Sequence, residues 1–245
     1  MTYVLHSVPA AFGVRNASPF SLKAETLLRM AGVDYERRDA TPNQGPRRKL
    51  PFLTTPEGDT ISDSRNILVH LQREARLSLP SAEHDVAVRR LAEEHLYWSI
   101  TYFRWVHHTA EMQRALFGTV PGLFRGLVFG MVRRKVLRQL HAQGTGRRPE
   151  TEILELALED LEALDGLLEE APFFGGDRIA TADVVVHATT SQLDGDLVDP
   201  LTEAFRDFPR LVAHQDRVER SVHTSASVGP QSERRQSNSV SVRVA

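Results

Sequence analysis

The chain has 245 residues, with 30 lysines and arginines against 32 aspartates and glutamates, a formal net charge of −2 and no cysteine. That length supports a real core in one domain or two small ones. The charge balance excludes a global field that would recruit nucleic acid or anionic lipid, and the missing cysteine excludes disulfides, thiolate-ligated zinc and a cysteine nucleophile. Only three lysines (Lys23, Lys49, Lys135) stand against 27 arginines, a bias that GC-rich codons produce, so a bacterial source is expected. The N-terminal stretch MTYVLHSVPAAF lacks a basic region followed by a long apolar run, so no signal peptide is expected.

Tyr3 to Val8 reads as a strand, and a loop with Pro9 and Gly13 follows. Ser18 stands at an N-cap position and Pro19 at a first helical position, ahead of the helical spacing of Phe20, Ala24, Leu27, Leu28 and Ala31. Two readings of Ser18 stay open: a cap and nothing more, or a hydroxyl at a helix N-terminus able to stabilise a thiolate brought by a ligand. Gly32 stops the helix. Val33 to Arg38 reads as a second strand, parallel to the first through a right-handed crossover. Asp39 to Lys49 is polar and has no helical period. Pro51 to Thr55 predicts a short strand, Pro56 to Asp59 a turn, and Thr60 to Ser62 the return strand of a hairpin. Asp63 and Ser64 open a helix with Ile67, Leu68 and Leu71 inside. Residues 1–76 therefore form a compact α/β domain.

Residues 82–220 predict an all-helical domain of five or six helices. Asp85 to Met112 places Val88, Leu91, His95, Trp98, Tyr102 and Trp105 on one stripe. Phe124 to His141 ends at Gly144, and Ile153 to Leu168 carries a clean apolar face. Thr181 to Gln192 is short and very apolar, hence central. Phe208 to Arg220 closes the domain, with Arg220 its last residue. The stretch 221–245 is rich in Ser, Arg and Gln and is expected to be disordered. Leu116 to Val132 is apolar but too short, and too rich in Gly, Pro and Arg, for a stable membrane span.

The stretches AFGVRNASPFSLKAETLLRMAGVDYE, KLPFL, ISDSRNI, LAEEHLYW, RWV, RRKVLRQLHAQGTGR, FFGGDRIATADVVVHA and PRLVAH resemble the glutathione transferase superfamily. Within it they are most similar to the failed-axon-connections/metaxin-like branch. The resemblance runs from about Tyr3 to Arg220. It implies an α/β thioredoxin-like N-terminal domain plus an all-α C-terminal domain, with glutathione as co-substrate and a small electrophile as second substrate. It makes Ser18 the catalytic hydroxyl, with Ser21 second choice. It makes Leu50-Pro51 a cis bond whose preceding backbone pairs with the peptide-like ligand, and Asp63-Ser64 the pair that holds the γ-glutamyl end. A plain N-cap remains the other reading of Asp63-Ser64. A cytoplasmic protein is expected; the resemblance implies a homodimer in many relatives and a second class of function: a non-catalytic interaction protein with a degenerate site.

Two departures from the family stand out. Asp39 to Lys49 is short and polar where relatives carry a helix beside the glycyl end of glutathione, with Arg47, Arg48 and Lys49 as substitute cations or a solvated loop. Ala180 stands three residues before Asp183, where relatives carry a capping Ser or Thr, so a cap hydrogen bond of about 1 kcal/mol is expected to be lost, while an Ile179/Val184 staple is kept. His95, His107 and His108 have no metal-ligand spacing, and His95 is expected to be an interior, hydrogen-bonded histidine. Arg133-Arg134-Lys135 reads as a solvated basic run, with phosphate-bearing surfaces as the alternative. Disulfide exchange is excluded, because it needs a thiolate of the chain's own.

Overall fold

The computed structural model describes residues 2–74, 76–80, 84–168 and 171–226, and side chains as far as Val222. Its first part holds β1 (Tyr3–Ser7), α1 (Pro19–Met30), β2 (Tyr35–Asp39), β3 (Phe52–Thr54), β4 (Thr60–Ser62) and α2 (Ser64–Arg73). The strands form one sheet in the order β2-β1-β3-β4. β1 and β2 are parallel in register from Tyr3↔Tyr35 to Ser7↔Asp39. β3 runs antiparallel to both neighbours, with His6↔Phe52 on one side and Phe52↔Ser62 on the other. The second strand starts two residues later than the sequence suggests, because Val33 is buried in the core and Asp34 carries the turn into the strand. Leu5, Ala24, Leu27, Leu28, Leu53, Ile67 and Leu71 form the core between the sheet and its two helices.

The rest is helical: α3 (Asp85–Arg90), α4 (Tyr97–His107), α5 (Thr109–Phe117), α6 (Gly122–Gln143), α7 (Glu150–Leu168), α8 (Thr181–Thr190), α9 (Pro200–Phe205) and α10 (Pro209–Ala226). Five or six helices thus become eight among the described residues. One reason is His108, whose backbone leaves the helical region at φ −108°, ψ 42° and breaks the segment expected to reach Met112. Another is α9, which Asp199 caps by accepting from the N–H groups of Leu201 and Thr202 and which Pro200 opens. α10 runs to Ala226, six residues past Arg220, so residues 221–226 are helix and not tail. The expected disorder of 227–245 falls outside the described residues.

The long segment that opens this domain also corrects the predicted stripe. Between α3 and α4 lies a π-helical segment, Leu91–Leu96. Its wider turn keeps residues four apart on one face, and the buried row is Val88, Ala92, Leu96 and Ile100, followed by Phe103. His95 turns outward, Trp98 is only half-buried, and Tyr102 packs against the rim of the same core. His95 is hydrogen-bonded as expected, with Nδ1 2.5 Å from Asp160 Oδ2, but its side chain is 47% exposed, so it is not interior.

α8 is buried along its whole length. Ala182, Val185 and Val186 enter the helical core, while Val184 enters the core of the sheet domain beside a partly buried Ile179. The helix contacts α1 on one side and α3 and α10 on others. Its N-terminus is held by two carboxylates. Asp183 is fully buried and accepts from the N–H of Ala180 at 2.7 Å, the N–H of Phe174 at 2.8 Å and His214 Nε2 at 2.8 Å. The cap bond that Ala180 cannot make is supplied from another helix: Asp85 Oδ1 accepts from the N–H of Ala182 at 2.8 Å. Arg89 Nε, 2.7 Å from Asp85 Oδ2, fixes that carboxylate in place. The expected loss is therefore made good.

Replacing Asp183 by alanine strands three buried donors at about 1–3 kcal/mol each. Asp183→Ala should lower unfolding free energy by at least about 3 kcal/mol in urea titration, and a loss under 1 kcal/mol would remove Asp183 from this role. A second prediction concerns His187, also on α8. Burial lowers its pKa from 6.5, outweighing the raising effect of Glu219 Oε2, which lies 3.3 Å from Nε2 without hydrogen-bond alignment. Below 6.5 the unfolded chain then binds the proton that the folded chain refuses, so folding stability falls as pH falls below 6.5. His187→Gln should show a shallower decline than the parent between pH 6.5 and 5, measured by urea unfolding at each pH.

Candidate functional site

The sheet topology sends four chain turns to one edge. β1 ends at Ser7, and the chain returns through a loop to the N-terminus of α1, as a parallel crossover requires. β3 starts at that edge, because Phe52 pairs with His6. β4 ends there, because Ser62 pairs with Phe52, and α2 begins at once. β2 ends beside it, where the N–H of Ala40 donates to Ser7 O at 2.9 Å. Ser18, Leu50-Pro51 and Asp63-Ser64 are thus brought to one edge by chain path alone, and the N–H of Asp63 donates to Pro51 O at 3.2 Å.

Ser18 occupies the N-cap of α1 in extended conformation, yet its side chain makes no cap hydrogen bond. Its hydroxyl is half-buried and has no hydrogen-bond partner among the described residues. The backbone around it is tied down instead. The Ser18 N–H donates to Asn16 Oδ1 at 3.3 Å. Arg104 on α4 donates from Nη1 to Ala17 O at 2.8 Å and to Gln192 Oε1 at 3.0 Å, and from Nη2 to Gln192 O at 3.2 Å. Gln192 Nε2 donates in turn to Asn16 O at 3.2 Å. The guanidinium also lies 5.3 Å from the centre of the Phe12 ring, a cation–π distance. Burial brings the Arg104 pKa down to about 10, still well above neutrality, so the cation persists at pH 7. One turn upstream, the loop fits the helical domain closely. A Cβ on Gly195 would come within 2.3 Å of Phe12 O, and one on Gly13, at φ 75°, within 2.9 Å of the Asp196 carboxylate. Asn16, Arg104 and Gln192 escaped the sequence reading, since no local spacing links residues 88 and more positions apart.

Leu50-Pro51 is cis, as the resemblance implied. Asp63 sits at φ 80°, ψ 135°, a conformation that costs a non-glycine residue about 1–3 kcal/mol. Its Oδ1 accepts from the N–H of Arg65 at 3.0 Å, so the cap reading holds for one oxygen, and the residue is solvent-exposed. Ser64, the first residue of α2, is only 2% exposed. Ser21 lies fully inside, with its Oγ buried and unpartnered, so it faces the core between helices and not the open edge. In the polar stretch after β2 only a single 3-10 turn forms, Pro42–Gln44, and Arg47, Arg48 and Lys49 are exposed on the loop that follows.

The histidines flagged by sequence pair separately. His107 Nε2 is 2.9 Å from Glu150 Oε2, and His108 Nε2 is 3.1 Å from Asp199 Oδ2. Among the described residues no group of three or more His, Asp or Glu is placed to hold a metal. Trp105 stacks on Phe129 of α6 at 6.0 Å, while Tyr97 meets Phe20 edge-on at 5.0 Å, next to Ser18 across the domain seam.

Two family models match: the glutathione S-transferase N-terminal domain over residues 19–110 and the glutathione S-transferase C-terminal domain over residues 157–218. The chain is 29% identical over 235 residues to an isoprene-epoxide–glutathione S-transferase of Rhodococcus sp. (strain AD45), covering 89% of this chain and 98% of that one. It is 31% identical over 223 residues to Failed axon connections of Drosophila melanogaster, covering 82% of this chain but 53% of that one. Among solved structures, a glutathione S-transferase of Ceriporiopsis subvermispora in complex with glutathione superposes with a TM-score of 0.65 at 15% identity, over 90% of this chain and 98% of that one. The chain belongs to the glutathione S-transferase superfamily, in its failed-axon-connections/metaxin-like branch. Its fold is the thioredoxin-like domain plus helical domain of that family.

Arg104 yields the prediction for this region. Arg104→Met keeps the bulk and removes every donor, leaving Ala17 O and the side-chain and backbone oxygens of Gln192 unpaired. It should cost about 2–4 kcal/mol of stability and speed amide exchange at Ser18. Unchanged exchange at Ser18 would show that the loop holds itself.

Proposed function

We propose that the chain binds glutathione along the sheet edge described above and presents the Ser18 hydroxyl to its sulfur. The hydroxyl donates to the thiolate, and the N-terminal end of α1 favours negative charge there. The thiolate attacks a carbon of a small electrophile, a C–S bond forms, and the displaced or opened group leaves with the electron pair. Leu50 backbone, next to cis Pro51, pairs with the cysteinyl part of the tripeptide. Ser64 and the first amides of α2 take the γ-glutamyl carboxylate, and the second oxygen of Asp63 faces its ammonium. The single observation carrying this reading is the uncommitted Ser18 hydroxyl at a helix start where a cap bond is the ordinary state. The name of the Rhodococcus relative puts epoxides first among electrophile classes to be tried.

A second reading is favoured by one feature. The stretch beside the glycyl end holds only a 3-10 turn, which suits an interaction protein with a weakened site. Calorimetric titration with glutathione separates the two, since the second reading expects no heat of binding. For the first, Ser18→Ala should lower turnover of a generic electrophile about tenfold to a hundredfold, the value of one hydrogen bond to a charged group, while glutathione affinity stays within twofold. Equal turnover in the variant would leave Ser18 a loop residue.

A further inference from the structure

We propose that the outer face of α6 docks on an anionic lipid surface. The helix has 22 residues, about 33 Å at 1.5 Å per residue, and buries only Phe129 and Leu140. Its inner face is fixed by the Trp105–Phe129 stack and by Arg133 Nε, which donates to Trp105 O at 3.0 Å. The outer face begins with Leu123, Phe124, Leu127 and Met131, which are 53–88% exposed. At 100° per residue these four fall within about 100° of arc, and Arg134 and Arg138 lie inside that same arc with Lys135 at its border. All three are exposed and have no ion pair among the described residues. One continuous face is therefore apolar over its first turns and basic over its last.

Charge decides the occupant. From Met112 to Pro149 the sequence holds eight lysines and arginines and not one aspartate or glutamate. Two of the eight, Arg114 and Arg148, pair with Glu111 and Glu152 just outside the stretch, but the chain as a whole is nearly balanced, so the remaining cations still concentrate positive charge beside exposed apolar side chains. Apolar insertion plus attraction to acidic headgroups is the pattern of an interfacial helix. No single helix among the described residues is long and apolar enough to cross a membrane; α5 and α6 reach that length and hydropathy only as a pair bent by 117°, and the exposed apolar and basic arc of α6 suits a helix lying along a surface. Gly122, Gly126 and Gly130, all exposed beside the Leu123–Met131 ridge, would also admit a helix of a second copy. That copy would bring its own Arg134, Lys135 and Arg138 against the same three cations, which argues against it.

The test uses the full chain and two double variants, Leu123→Glu/Leu127→Glu and Arg134→Glu/Lys135→Glu. Each is checked by thermal melting, which these exposed changes should leave within 2 °C or so. Flotation with phosphatidylglycerol-containing vesicles should recover the parent, and pure phosphatidylcholine vesicles should recover at least tenfold less. Both variants should lose about tenfold or more of the binding to acidic vesicles, and added salt should weaken the parent. Equal recovery on both vesicle types, or variants that bind like the parent, overturns the proposal. A parent that sediments as a dimer, and a Leu123→Glu/Leu127→Glu variant that sediments as a monomer, would assign the face to a second copy and overturn it as well. Neither readout involves glutathione.

Discussion

A carboxylate with no access to water anchors the one helix that packs into both halves of this molecule. Asp183 sits at the start of α8 and gathers three donors, from the chain just before the helix and from His214 of α10. Ionised carboxylates survive burial only when several donors compensate the lost hydration. The helix it anchors has no solvent face: one side seals the sheet domain through Val184 and the others fill the helical core. Anything that shifts α8 shifts Gln192, which follows it directly, and with it the hydrogen bonds to Asn16 and Arg104 that hold the Ser18 loop. The path from core electrostatics to the candidate site thus runs from Asp183 along α8 to Gln192, and from there to Asn16 and Arg104.

The helix start also shows how one function can be met from a distant position. The family's cap residue is absent at Ala180, and Asp85, 97 residues before the Ala182 N–H from which it accepts, supplies the acceptor from α3. Arg89, on the next turn of the same helix, neutralises it at 2.7 Å. A local rule read from local sequence sees only the missing hydroxyl. The tertiary fold adds a charged acceptor, which is stronger than the neutral one it replaces.

The strands, α1, α2 and the central, wholly buried α8 were legible because their periodicity, caps and turn residues agree with one another. The glycine after α1, the proline before β3 and the Asp-Ser pair before α2 are local signals of that kind. The start of β2 was misplaced because Val33 is apolar whether it ends a loop or opens a strand. The stripe of the first long helical segment was misread because a period of 3.6 was applied where a wider turn intervenes. At the candidate site, Ser18, Pro51, Asp63 and Ser64 were found on one edge, since the resemblance named them and the topology gathers them. Ser21 was included by analogy of position, but helix geometry turns it inward. Arg104, Gln192 and Asn16 carry no pattern of their own, and their partnership exists only in three dimensions.

The π-helical segment at Leu91–Leu96 governs more than the local packing. A π turn amounts to one extra residue carried inside an α-helix, so everything after it is rotated by one residue, about 100°, relative to an uninterrupted helix. Arg104 lies two to three turns beyond that point. The segment therefore acts as a phase setting. With a regular helical pitch from Asp85 onward, the guanidinium would point about a quarter-turn away from Ala17 and Gln192, and the Phe103 side chain would take up its direction. The address of the Ser18 loop in the helical domain is written in helical phase as much as in side-chain identity.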